Sequence, residues 1–101
     1  MVDLTPATLE RIEILFPADR EEVADLLRRD CAVNLPLWKP ATPSGLERVR
    51  FAVLKLSGGR IDTLREAVRL AQRDWRDTLM VAGFGESVDA HQSWMPATPA
   101  S

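Results

Sequence analysis

The chain has 101 residues, 46% hydrophobic and 28% charged, with 7 Pro and 5 Gly; this composition describes one ordinary globular domain and excludes a fibrous or broadly disordered chain. A chain of this size buries roughly two-thirds of the surface its unfolded form exposes, enough for one core but not for a core plus an elaborate enclosed active site. A formal net charge of −2 supplies no global field that would draw it onto nucleic acid or an anionic membrane.

The charge is nevertheless unevenly spread. Residues 1–38 carry eight acids and four bases, residues 39–85 nine bases and five acids, and residues 86–101 two acids. Mutual neutralisation of the two halves within the fold is the expected use of that segregation. Cys31 is the single cysteine, so no internal disulfide can form. The opening Met1-Val2-Asp3-Leu4-Thr5-Pro6 has neither the basic nor the apolar region of a signal peptide, and a cytoplasmic location is expected. The longest apolar runs, such as 51–54 and 79–82, fall far short of the ~18 residues of a membrane span.

In chain order, Thr5 or Thr8 caps a first short helix over Leu9–Phe16, with Leu9, Ile12, Leu15 and Phe16 on one face. The partial alternation of the same residues also fits a strand. Pro17 ends that element and suits the first position of the next, where its missing N–H costs nothing. A second helix is expected over 17–31. Its acids at 19, 21 and 22 sit at the positive end of the dipole, Arg28 and Arg29 at the negative end, and Val23, Leu26, Leu27 and Asp30 or Cys31 face inward. From Ala32 to Pro43 the prolines at 36, 40 and 43 forbid a helix, and Leu35, Leu37 and Trp38 pin an extended segment to the core. Pro40-Ala41-Thr42-Pro43 has the P-x-x-P form of a polyproline ligand, a match common by chance.

Ser44-Gly45-Leu46-Glu47 reads as a capping box that opens a third helix. Its body, to Leu56, is apolar on more than one face: Leu46, Val49, Val53 and Leu56 form one stripe, while Phe51 and Leu54 point elsewhere. Such a helix is central in the fold or has a partner. Ser57-Gly58-Gly59 ends it. A fourth helix, capped by Asp62, runs to Gly83 and sets Leu64, Val68, Ala71, Trp75, Leu79 and Ala82 on one face, the strongest periodic signal in the chain. After Gly83-Phe84-Gly85 a short helical turn fits Glu86–Ser93. Residues 1–95 form one domain and residues 96–101 a small-residue tail. No Asn-Gly or Asp-Gly hairpin signal is present. The expected fold is all-α, a compact bundle of about four helices in which helices 3 and 4 form an αα-hairpin.

From Phe51 the chain reads Phe51-Ala52-Val53-Leu54-Lys55-Leu56-Ser57-Gly58-Gly59, then Leu64-Arg65-Glu66-Ala67, Leu70-Ala71, and Asp74-Trp75-Arg76-Asp77 with Ala82-Gly83-Phe84. About a third of the chain thus resembles a group of small bacterial proteins of unassigned function that carry the same Leu-Ser-Gly-Gly turn and Asp-Trp-Arg-Asp cluster. The resemblance implies a compact bacterial protein and no particular chemistry.

Arg65, Arg69, Arg73 and Arg76, at spacings of four, four and three, place four guanidinium groups on one side of helix 4. They fit a recognition helix presented to phosphates and base edges, so a DNA-binding regulator is the alternative function. Asp62, Glu66 and Asp77 border the stripe, however, and would repel phosphate. A solvated face with ion pairs such as Glu66 with Arg69 and Arg73 with Asp77 is the simpler expectation. Ser57-Gly58-Gly59-Arg60 resembles an anion cradle but lacks the spacing of a P-loop and reads as a helix-ending turn. Gly83-Phe84-Gly85 lacks the preceding strand and third glycine of a dinucleotide site. In Asp74-Trp75-Arg76-Asp77, Trp75 faces the core and Asp74 is expected to form a partly buried structural ion pair with Arg50.

One His, one Cys and no Tyr leave little for catalysis. Nothing in their context brings Cys31 and His91 together as nucleophile and base; a buried structural Cys and a surface His are expected. No Cys or His pairs have zinc-ligand spacing, and no metal or cofactor is expected. These residues lead to a small non-enzymatic cytoplasmic protein acting through protein–protein association, as a homodimer or an accessory subunit. The motive is the apolar excess of helix 3 and three Trp in a small domain. The candidate surface is Arg65, Arg69, Arg73 and Arg76 with Trp38 and Trp94; packing on the protein's own surface is the first expectation for Trp94 and Met95.

Overall fold

A computed structural model describes residues 4–31, 43–85 and 90–96. Four helices follow one another, α1 (Pro6–Leu15), α2 (Arg20–Asp30), α3 (Pro43–Ser57) and α4 (Ile61–Ala82), and no strand occurs among the described residues. The all-α class and the α3/α4 hairpin are as expected: α3 and α4 share the largest helix–helix interface, while α1 packs on α2 and α3, and α2 on α4. Trp38 and the rest of the Pro-rich stretch 32–42 lie outside the described residues, as do 86–89 and 97–101.

Thr5 caps α1, its Oγ1 accepting from the Thr8 amide at 3.2 Å. Pro6 takes the first helical position, so the strand alternative for this segment does not hold. Pro17, expected to open α2, sits instead in a turn over 17–19, and α2 starts at Arg20. Glu21 and Glu22 occupy its first turn and Arg28 and Arg29 its last, the polarity a helix dipole favours.

The third helix begins at Pro43, one residue before Ser44, and the Glu47 carboxylate accepts from Thr5 Oγ1. Leu46, Val49, Phe51, Ala52, Val53 and Leu54 are each 1% exposed or less. A helix buried all round is the centre of a bundle, and here α1, α4 and the C-terminal segment 90–96 supply much of the cover. The apolar excess of helix 3 is therefore spent within the fold. Ser57 closes the helix: its hydroxyl donates to the Leu54 carbonyl and accepts from the Gly59 amide, with Gly58 and Gly59 at φ 59° and 81°, a region glycine enters without a Cβ clash.

On α4, Leu64, Val68, Ala71, Leu79 and Ala82 are buried as their spacing requires, and Trp75 is half-buried. The helix starts from an Arg60 cap with Asp62 in its first turn, not from an Asp62 cap, and it is not continuous. Asp74 leaves helical geometry at φ −156° and ψ 90°. Its Oδ1 accepts from the amides of Arg76 and Asp77 at 3.1 and 3.2 Å, the bonding of an N-cap. Residues 61–73 and 75–82 are thus two helical segments joined at a capped kink. The second ends at Gly83, φ 82°, with the Phe84 amide on the Leu79 carbonyl at 2.8 Å and the Phe84 ring buried beneath it, a glycine-terminated helix end. Pro96, assigned to the tail from sequence, is buried.

Candidate functional site

The four arginines of the α4 stripe are all exposed, but the structure gives them different surroundings. Arg65 Nη2 pairs with Glu22 Oε1 on α2 at 3.0 Å, one link between the basic and acidic halves of the chain. Arg69 and Arg73 carry no ion pair among the described residues; with Glu66 and Gln72 they border a shallow depression open to solvent. The expected Glu66–Arg69 and Arg73–Asp77 pairs do not form. The kink at Asp74 explains the second absence, because a non-helical residue between 73 and 77 takes them off a common face. Arg76, beyond the kink, lies over the Trp75 ring at 5.3 Å. Beside it Asp77, Met80 and Val81 are exposed, Met80 to 71% and Val81 to 60%.

The expected ion pair of Arg50 with Asp74 is not made. Arg50 is 1% exposed and its Nε donates to the Cys31 carbonyl at 2.9 Å, whereas Asp74 is exposed and its carboxylate is engaged in capping. Arg50 therefore ties the centre of α3 to the C-terminal end of α2. Cys31 is fully buried, as expected, and burial pushes its thiol up to about 12, with Arg50 pulling weakly the other way. A thiol held so far above neutral pH supplies almost no thiolate nucleophile.

The largest departure from expectation is His91, read as a surface residue and in fact 0% exposed. Its ring stands edge-on to Phe51 at 5.2 Å and to Phe84 at 6.4 Å between centroids. Glu47 Oε1 lies 3.3 Å from Nε2 but outside hydrogen-bonding direction, so neither ring nitrogen is bonded. The other Glu47 oxygen accepts from Thr5 Oγ1 at 2.6 Å. Burial pushes the imidazole below its ordinary value and outweighs the attraction of Glu47; Arg48 and Arg11 act in the same direction as burial.

Around this ring two arginines fasten the C-terminal part of the chain. Arg11, 5% exposed on α1, donates from Nε to the Trp94 carbonyl at 3.0 Å and from Nη1 to the Ala7 carbonyl at 2.9 Å, and stacks over Phe51 at 4.3 Å. Arg48 on α3 donates from Nε at 2.9 Å and from Nη2 to the Phe84 carbonyl. Trp94, offered by sequence as a contact residue, is half-buried against Phe51 and Phe84, with centroids at 6.0 and 6.1 Å. Sequence placed none of Arg11, Glu47 and Arg48 in this cluster. The one available signal was the i, i+3 spacing of His91 and Trp94 after Phe84.

Among the described residues no three His, Cys, Asp and Glu side chains gather as a metal site would require, and no helix is long and apolar enough to cross a membrane. No family model, no curated protein and no solved structure matches the chain.

Proposed function

We propose that the chain is a non-catalytic cytoplasmic protein that acts by protein–protein association, and that its contact face is the outer side of the second α4 segment. The observation that carries this is the adjacent exposure of Met80 and Val81 beside Arg76 and Asp77. The same four residues are self-complementary. Two copies packed antiparallel about a two-fold axis at the level of residues 78 and 79 set Met80 and Val81 of each copy opposite Asp77 and Arg76 of the other, so that the apolar side chains meet the aliphatic stem of Arg76. Two apolar side chains fall well below the ~800 Å² per partner of a standard interface, so the pair is weak and concentration-dependent. Sedimentation equilibrium over a wide concentration range tests it. Wild type shows a reversible rise in mass that Met80→Glu with Val81→Glu abolishes; a monomer at every concentration overturns the reading.

Arg69 and Arg73, which carry no ion pair among the described residues, favour a second reading in which the first α4 segment meets nucleic acid. Asp62 and Glu66 on the same segment oppose it. A mobility shift on mixed-sequence duplex DNA at low salt, lost in Arg69→Glu with Arg73→Glu, would support that reading; no shift at low salt ends it.

A further inference from the structure

Among the described residues, the C-terminal segment 90–96 makes few hydrogen bonds to the helices. One side-chain hydrogen bond, Arg11 Nε to the Trp94 carbonyl, ties it to α1. Beyond that bond the segment is held by ring packing of His91 and Trp94 on Phe51 of α3 and on Phe84, by the 3.3 Å contact of His91 with Glu47, and by burial of Ala90 and Pro96 against the core. The segment's own internal bond, Trp94 amide to His91 carbonyl at 3.1 Å, survives detachment and adds nothing to the docking.

At the centre of that hold is an imidazole with no exposure and no hydrogen bond on either nitrogen. Neutral, such a ring packs as an aromatic side chain and loses only its unmade bonds. Protonated, it carries a charge out of reach of water, which costs several kcal/mol unless good geometry compensates. Among the described residues, the charged groups around it are, from α1, Arg11, with Glu10 outside it at 3.5 Å, and from α3, Glu47 and Arg48. Lys55 of α3 sits 4.9 Å above the Phe84 ring that packs on His91. Among the described residues, only Glu47 attracts an imidazolium at contact range. It is not aligned to accept from the ring, and its second oxygen already accepts from Thr5. Two guanidinium groups oppose that attraction.

We propose that residues 90–96 form an acid-released strap: protonation of His91 expels it from the Phe51/Phe84 box and detaches the segment from α1 and α3 while the four helices stay folded. The sign follows from linkage. Above the ordinary histidine value of about 6.5 the docked and released states are both neutral, and pH does not move the balance. Below it the released state binds a proton that the docked state refuses, and the released-to-docked ratio rises about tenfold per pH unit until the docked ring itself titrates. Release uncovers the Phe51 and Phe84 rings and frees the Nε donor of Arg11.

His91 is the chain's single histidine, so its imidazole signal in proton NMR is unambiguous. A titration of the full chain from neutral pH to about 4.5, with backbone amides followed in the same samples, tests the proposal on either side of the ordinary histidine value. The expected result is an imidazole that titrates below 6.5, with amides of 90–96 moving to unfolded positions at the same midpoint and those of α1 to α4 keeping helical shifts. His91→Gln, which cannot acquire the charge, keeps 90–96 docked across the range. An imidazole titrating at or above the ordinary value with 90–96 unmoved overturns the proposal, because Glu47 then holds the charge in place. Loss of the helices in step with the segment also overturns it. Should His91→Gln fail to dock at neutral pH, the wild-type titration alone decides.

Discussion

Arg50 shows how a single side chain can be placed correctly by pattern and still be given the wrong partner. Its position among Leu46, Val49, Val53 and Leu54 marks a cation carried into the core, and it is 1% exposed. A group it bonds is a backbone carbonyl at the end of α2, that of Cys31. A carbonyl is present at every position and leaves no trace in sequence, whereas Asp74 advertises a carboxylate that turns out to face water. Arg50→Met keeps most of the stem and removes the donor, so the Cys31 carbonyl is left without that bond in a buried site. The expected loss is about 1–3 kcal/mol, read as a lower urea midpoint with unchanged slope; an unchanged midpoint would show that the bond contributes nothing. His91 was misplaced for a related reason. Its box is built from Phe51, forty residues earlier, and Phe84, and only the tertiary fold brings them to the ring.

At the scale of elements, the helices were legible because periodicity and terminal chemistry agreed. The α4 face from Leu64 to Ala82 and its stop at Gly83 both stand as read. The kink was not legible, because steps of four residues at 71, 75 and 79 fit one continuous helix as well as two joined at a cap. Asp74 is the residue that decides, and Asp-x-x-Asp followed by Thr78 is a cap signature that also occurs inside exposed helices. Asp74→Ala removes two bonds to backbone amides and should cost about 1 kcal/mol, while Asp74→Asn, which keeps a side-chain acceptor, recovers most of it. Chemical denaturation of the two variants against wild type checks this. Equal stability of Asp74→Ala and wild type would mean that the helix straightens at no cost. At the start of α3 the helix begins one residue earlier than the Ser44 expected to open it, at Pro43, and Glu47 turns to Thr5 and His91.

For the whole molecule, the acidic front and basic rear of the chain meet in the fold through Arg65 and Glu22, as charge segregation implied. That pair is exposed and stabilises little. The apolar excess of helix 3, which pointed outward to a partner when read from sequence, is consumed at the centre of the bundle. What remains for association is smaller and lies elsewhere, on the far side of the kink, where Met80 and Val81 stand in water. The expected contact is therefore weak and local, not an obligate interface. The most direct test compares backbone amide shifts of the dilute and concentrated protein by NMR, because this maps the contact as well as detecting it. Concentration-dependent shifts confined to Arg76–Val81 and their neighbours at the end of α4 are the expected result; shifts confined to other elements, or none at any concentration, would overturn the proposed contact.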